Sequence, residues 1–204
     1  AELLKPFLEG KDLKRWRAES RGLWIIYIPK NRVRIDDFPA IRDWLLPFKD
    51  KLEKRATKQE WFELQQGEVG SSFDFTRTKI MYPEISQGGK FSFGPSGFLP
   101  NKTVFSLFTD CSALLALLNS RLSWFYLSQV CTALRGGEWR LLLQSIYMET
   151  LPIPFTNESQ KAELGKLTEA AQTATKERHR LQQGITRRIP DLSADPANAK
   201  LTGK

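Results

Sequence analysis

The stretch SALLALLNSRLSWFYLSQVCTALRGGEWRLLLQSIYMETLPIP, residues 112–154, decides the fold class because two periodicities meet inside it. Its first half is helical. Ser112 can cap a helix through Leu114, Leu115, Leu117 and Leu118, and a second helical segment runs from Leu122 to about Leu134. Gly136 and Gly137 break the pattern, and Glu138 to Ile146 then reads as extended, stopped by Pro152-Ile153-Pro154. Helices and a strand in such short succession predict a mixed α+β domain, with packed helices on a small mixed β-sheet.

Upstream, Leu23 to Ile28 (LWIIYI) is a β-branched and aromatic run closed by Pro29, the pattern of a buried strand. Asp36 and Asp37 precede Pro39 as in a first helical turn, and Ile41, Leu45, Phe48 and Leu52 continue a helix that Pro47 kinks or splits. Thr78 to Ile85 reads as a strand in which Pro83 suggests a sheet edge, and Thr103 to Phe108 as another. Downstream, residues 158–189 read as one long helix with Asn157 or Thr156 as its cap. Leu164, Leu167, Ala171, Ala174, Leu181 and Ile185 form a heptad-like seam interrupted by Arg178. The organisation expected is a body over 1–155, a helical spacer over 156–190 and a flexible tail over 191–204.

Composition removes several function classes. The chain has 204 residues, a net charge of +8, two cysteines and one histidine. Cys111 and Cys131 stand alone, so neither a Cys/His zinc site nor a disulfide framework is expected. Any histidine-assisted nucleophile would depend on His179, which sits among Lys176, Arg178 and Arg180 and reads as a solvated helix face. No apolar run approaches the roughly 20 residues of a membrane span, and Lys5, Glu9, Lys11 and Asp12 interrupt any signal peptide. A cytoplasmic protein is expected, and Ala1 in place of methionine reads as part of a longer chain. The charge is uneven: +5 over residues 1–60, −1 over 61–110, +1 over 111–156 and +3 beyond. Basic ends around a near-neutral aromatic middle suit a polyanion partner, or simply a basic surface.

Three segments carry candidate chemistry. In Arg135-Gly136-Gly137-Glu138-Trp139-Arg140, two glycines allow close approach to a phosphate, with Arg135 beside them. Glu138, Arg140, Leu142 and Gln144 would then share one strand face. Arg suits guanine, Gln adenine and Glu the cytosine amino group. In the second segment, Arg77, Lys79, Ser86, Gln87 and Lys90 surround a strand whose Gly88-Gly89 exit could follow a groove. Tyr82 and Phe91 are core residues. In the third, Lys11, Lys14 and Arg15 suit phosphates, while Asp12 caps a short helix and Trp16 packs inward. On the residues alone, each polar surface is equally a solvated face.

Taken in order, KPFLEGKDLKRW (5–16), FPAIRDWLLPFKDKLEKR (38–55) with WFEL (61–64) and TKIMYPEIS (78–86), and LLALLNSRLSWFYL (114–127) with RGGEWRLLLQSIYMETLPIP (135–154) resemble the TaqI-like C-terminal specificity domains. Those are target-recognition domains of restriction–modification enzymes and adenine methyltransferases. Arg55 and Trp61 match family positions, Trp61 as a core aromatic. The resemblance implies sequence-specific reading of double-stranded DNA. Catalysis, S-adenosylmethionine and, where the parent cuts, magnesium would belong to other domains of the parent chain. It moves Glu138, Arg140, Gln144, Arg77, Lys79, Ser86, Gln87 and Lys90 toward base reading. Lys11, Lys14, Arg15, Arg135, Gly136 and Gly137 move toward phosphate contact.

The residues support the absence of catalysis independently. No Asn/Asp-Pro-Pro-aromatic tetrapeptide occurs, and Phe93-Gly94-Pro95-Ser96-Gly97 is a turn rather than a cofactor loop. Glu9-x-Lys11 has no Pro-Asp before it to complete a nuclease centre. The alternative reading is a helical scaffold whose last helix docks a partner subunit.

Overall fold

The Leu23–Ile28 run enters a sheet through Trp24–Ile26 alone, and the rest of the β-structure in this computed structural model is similarly short. The structure describes residues 2–65, 74–134 and 139–192, with side chains to 188. In chain order the strands are β1 (Leu4–Leu8), β2 (Leu13–Lys14), β3 (Arg17–Ala18), β4 (Trp24–Ile26), β5 (Ile80–Pro83), β6 (Ile85–Ser86), β7 (Ser92–Phe93), β8 (Leu99–Pro100), β9 (Val104–Leu107), β10 (Thr132–Leu134) and β11 (Arg140–Leu142). The helices are α1 (Pro39–Leu45), α2 (Lys49–Glu53), α3 (Ser112–Leu118), α4 (Arg121–Val130), α5 (Ser145–Met148) and α6 (Glu158–Leu192). The architecture is α+β, but it holds several small sheets where one was expected.

Three of these sheets have three strands, in the orders β4-β1-β8, β10-β11-β6 and β7-β5-β9, and β2-β3 forms a hairpin. β5 is a central strand rather than an edge, and Pro83 ends it opposite Val104. At Glu84 the chain changes sheets: the Glu84 N–H donates to the Thr103 carbonyl at 2.8 Å, and the Leu143 N–H donates to the Glu84 carbonyl at 2.6 Å. This joint sets β6 and β11 beside the β5 sheet.

The helical reading of residues 122–134 runs too far. α4 stops at Val130, and Thr132–Leu134 pairs with Arg140–Leu142 as β10. The extended reading of 138–146 is also too long, since Ser145–Met148 is α5. Pro47 does split the upstream helix, with a 3-10 turn between α1 and α2. The largest core cluster lies between α3, α4 and the strands β5 and β11, and contains Ile80, Tyr82, Phe91, Leu115, Leu127 and Leu141.

Asn157 caps α6 as predicted: its Oδ1 accepts the Gln160 N–H at 2.9 Å, and the Gln160 side chain returns the bond. The predicted seam divides, however. Leu164 and Ala171 are half-buried, whereas Leu167, Leu181 and Ile185 remain 59%, 52% and 57% exposed. The docked face is built from small residues. Gly165 lies against Ser112, where an added Cβ would stand 3.0 Å from Oγ, and buried Thr168 donates to the Ser112 carbonyl at 2.9 Å. Small side chains let α6 approach the start of α3 closely. Accordingly, Gly165→Val is expected to cost about 1–2 kcal/mol by forcing the helices apart, and Leu167→Asp less than about 0.5 kcal/mol. Urea titrations of both variants check this, and equal losses would contradict the docking described.

His179 is not on a solvated face. Its Nδ1 lies 3.1 Å from the Glu19 carboxylate, just after β3, and both side chains are largely covered. α6 is therefore tied at two places, Thr168 on α3 and His179 on Glu19.

Candidate nucleic-acid interface

The β2–β3 hairpin turns in two residues, Arg15 and Trp16, and Trp16 adopts φ 73°, the left-handed region that favours glycine. The tip holds this conformation because the Trp16 N–H donates to the Phe91 carbonyl at 2.9 Å and the indole packs on the main core. Behind it, the Gly10–Asp12 turn is closed by Asp12, whose carboxylate accepts the Glu9 N–H at 2.7 Å and pairs with Arg21. Asp12 is thus a capping residue, as its position suggested. Lys14 Nζ donates to the Lys11 carbonyl at 2.8 Å.

Facing the hairpin is the loop from Gln87 to Lys90. It is tied at both ends rather than free to follow a groove. Ser86 Oγ donates to the Gly88 carbonyl at 2.6 Å, and buried Asn119 brackets Phe91, donating to its carbonyl at 2.9 Å and accepting its N–H at 3.2 Å. Arg15 reaches the same junction and donates to the Asn119 carbonyl at 2.6 Å. One asparagine therefore joins the hairpin tip, the loop and the α3–α4 turn.

Two clefts open on either side of this loop. The first, of about 550 Å³, is lined by Glu9, Lys11, Ser86, Gln87, Lys90, Asn101, Thr103 and Arg140. Carboxylate, amide, hydroxyl, ammonium and guanidinium groups mix here. Lys11 is neutralised by Glu9 at 3.3 Å, and the Arg21 bond and Lys11 hold the Glu9 carboxyl below its usual range. The Arg140 Nε–H is buried with no hydrogen-bond partner among the described residues. Donors and acceptors together are what base edges require.

The second cleft, also about 550 Å³, is lined by Lys14, Arg15, Lys90, Arg121, Trp124 and Arg178, together with Gln87, the two glycines, Asn119 and Ser120. Among the described residues no carboxylate lines it. Burial, and then the nearby charge of Lys14, pull the Lys90 ammonium below its usual value.

The first cleft thus unites Lys11, Ser86, Gln87, Lys90 and Arg140, which come from three separate parts of the sequence. Lys14 and Arg15 join Gln87 and Lys90 in the second. Other expected residues lie elsewhere. Lys79 must be withdrawn from base reading: it is fully buried, and its Nζ donates to the Phe75 and Pro95 carbonyls at 2.7 and 3.3 Å. Burial lowers its pKa, with Asp74 opposing. Ser86 shapes the loop with its hydroxyl more than it offers it. Arg77 is exposed but lines neither cleft, with its guanidinium 5.7 Å from the Phe108 ring centroid. Gln144 is the N-cap residue of α5, beyond the end of β11, and lines neither cleft. Arg135, Gly136, Gly137 and Glu138 lie outside the described residues.

Sequence reasoning missed Arg121, Arg178, Asn101 and Thr103. For Arg178 a signal existed, since it is the residue that breaks the apolar seam of α6. Arg121 follows the helix cap Ser120 and gives no such sign. Among the described residues no group of three or more His, Cys, Asp or Glu side chains could hold a metal ion, and no helix is long and apolar enough to cross a membrane. A family model, the TaqI-like C-terminal specificity domain, matches residues 5–153. No curated protein matches the chain.

Proposed function

The chain belongs to this family of specificity domains of restriction–modification enzymes, and from that premise we propose that it reads a specific sequence in double-stranded DNA. It directs adenine methylation, and cleavage where the parent enzyme also cuts, carried out by catalytic domains elsewhere in the parent chain, with S-adenosylmethionine and magnesium bound there. A cytoplasmic, bacterial type II enzyme is the parent that fits. The observation that carries the reading is the first cleft, where Lys11, Gln87, Lys90 and Arg140 converge from three chain segments. Convergence of that kind is what a base-reading surface needs, and scattered solvated residues would not produce it.

Within this reading Arg140, Gln87 and Lys90 read bases, and Lys14 and Arg15 hold phosphates. Arg77 and Gln144 would reach DNA only where the duplex extends beyond the clefts. Arg135, Gly136 and Gly137 are kept as proposed phosphate contacts and Glu138 as a proposed base reader. Binding-site selection on the parent enzyme tests the division. Arg140→Ala is expected to cost about 1–3 kcal/mol on the selected site and to relax preference at one base pair. Lys14→Ala is expected to weaken all duplexes alike. An unchanged selected motif in Arg140→Ala, with affinity lowered everywhere, would make Arg140 a phosphate contact.

The alternative of an assembly role for α6 is favoured by one observation, the exposed Leu167, Leu181 and Ile185. Leu181→Asp in the parent tests it by the enzyme's oligomeric state and stability.

A further inference from the structure

The second cleft collects Lys14 and Arg15 from the hairpin, Lys90 from the loop, Arg121 from the start of α4 and Arg178 from α6. Among the described residues, Lys90, Arg121 and Arg178 have no carboxylate partner. Two basic residues of α6 do have one, Lys161 with Glu158 at 2.7 Å and Arg180 with Glu177 at 2.7 Å. Arg178, one residue after Glu177, lines the cleft instead. Its place there is fixed by its neighbour, since His179 lies 3.1 Å from Glu19 beside β3.

Cations converging from four elements without a counter-charge repel one another, and an anion entering between them reverses that repulsion. Guanidinium forks suit phosphate oxygens, which accept two parallel bonds. The cleft is wide, at about 550 Å³, and Trp124 gives it one apolar wall. A strand of nucleic acid, with phosphate and sugar alternating, fits those dimensions better than a free inorganic ion. The first cleft lies across the same Gln87–Lys90 loop, so one duplex could reach both.

Resting on the DNA-reading function proposed above, we infer that this cleft takes successive backbone phosphates of the bound duplex and that Arg178 draws α6 into the contact, so that DNA holds α6 on the body. Two ties, at Thr168 and His179, become three when DNA is bound.

The test measures duplex binding by the full chain across a salt series, together with hydrogen exchange over residues 172–185. Arg121→Ala and Arg178→Ala are each expected to reduce the slope of log K against log salt by about one unit, for any sequence. Arg187→Ala, an exposed cation farther along α6, should leave it unchanged. Duplex should slow exchange in 172–185 for the wild type and for Arg140→Ala, but not for Arg178→Ala. Unchanged slopes in Arg121→Ala and Arg178→Ala, an equal loss in Arg187→Ala, or protection that survives Arg178→Ala, would overturn the inference. If wild type shows sequence preference that Arg140→Ala relaxes while those results fail, only this inference falls. If the wild type binds no duplex at all, the DNA-reading function falls with it. Matching thermal midpoints without DNA establish that each variant is folded.

Discussion

Asp12→Ala is expected to destabilise the chain by about 2–4 kcal/mol at neutral pH. The side chain is fully covered, and it holds both the Glu9 N–H and the Arg21 guanidinium. Removing the carboxylate leaves the Glu9 N–H without its acceptor and takes from Arg21 one of its two carboxylate partners, Glu9 being the other. Arg21 is 40% exposed and can rehydrate, so the loss is smaller than for a wholly buried pair. Burial alone would push the Asp12 carboxyl upward, but the Arg21 bond, the Glu9 amide and the charges of Arg21 and Lys11 outweigh it and hold the carboxyl below its ordinary range. A carboxyl lowered in the folded state contributes its stability above the unfolded value, near 4, and loses it as pH falls through the folded one. The gap between wild type and variant should therefore close on acidification from about pH 5. Urea titrations at pH 7 and in acid check this, and a gap that stays constant would separate the stabilisation from the charge of Asp12. The loss should also reach DNA binding, because the same turn carries Lys11 and leads into the hairpin of Lys14 and Arg15.

The second large effect belongs to Gly94→Ala, expected to cost about 2–3 kcal/mol. A Cβ at this position would overlap Met81 Sδ and stand 2.8 Å from its Cγ. Met81 is fully buried with Leu8, Leu13 and Val104, so the sulfur has little room to withdraw. Nor can the backbone retreat easily, because the Gly94 N–H donates to the Lys79 carbonyl at 2.8 Å. Gly88→Ala is the control: no atom lies within 4 Å of its added Cβ, and the change should stay within about 0.5 kcal/mol. Combining Gly94→Ala with Met81→Ala should cost less than the sum of the two. Strict additivity would show that the methionine is not what resists.

Much of the fold was legible because it follows from short-range chemistry. The split at Pro47 and the Asn157 cap depend on residues a few positions apart, as does the strand at Trp24–Ile26, which is however an edge strand with Trp24 exposed rather than the buried strand expected. Long-range pairing was not legible. Thr132–Leu134 continues an apolar helical pattern in sequence and becomes a strand only because residues 140–142 offer it a partner. Lys79 shows the same limit at the site. Beside Ile80, Met81, Tyr82 and Pro83 it resembles any basic residue at a strand end, and alternation assigns half of such residues to solvent. β5 is instead covered on both faces, and all four of its residues are buried. The cation that reaches the cleft is Lys90, from a loop. Arg121 and Arg178, more than fifty positions apart, meet only after α6 folds back over α3.

The ties on α6 leave its last 13 residues beyond them. Helical rise puts about 21 Å between Gly165 and His179, and about 40 Å between Gly165 and Leu192. Residues 180–188 are exposed throughout. The helix is thus a lever with its fulcrum at the Gly165–Ser112 contact. A displacement of about 1 Å at the His179–Glu19 tie becomes roughly 2 Å at the far end. Any shift of α6 at Glu19 therefore reaches Leu192 enlarged about twofold.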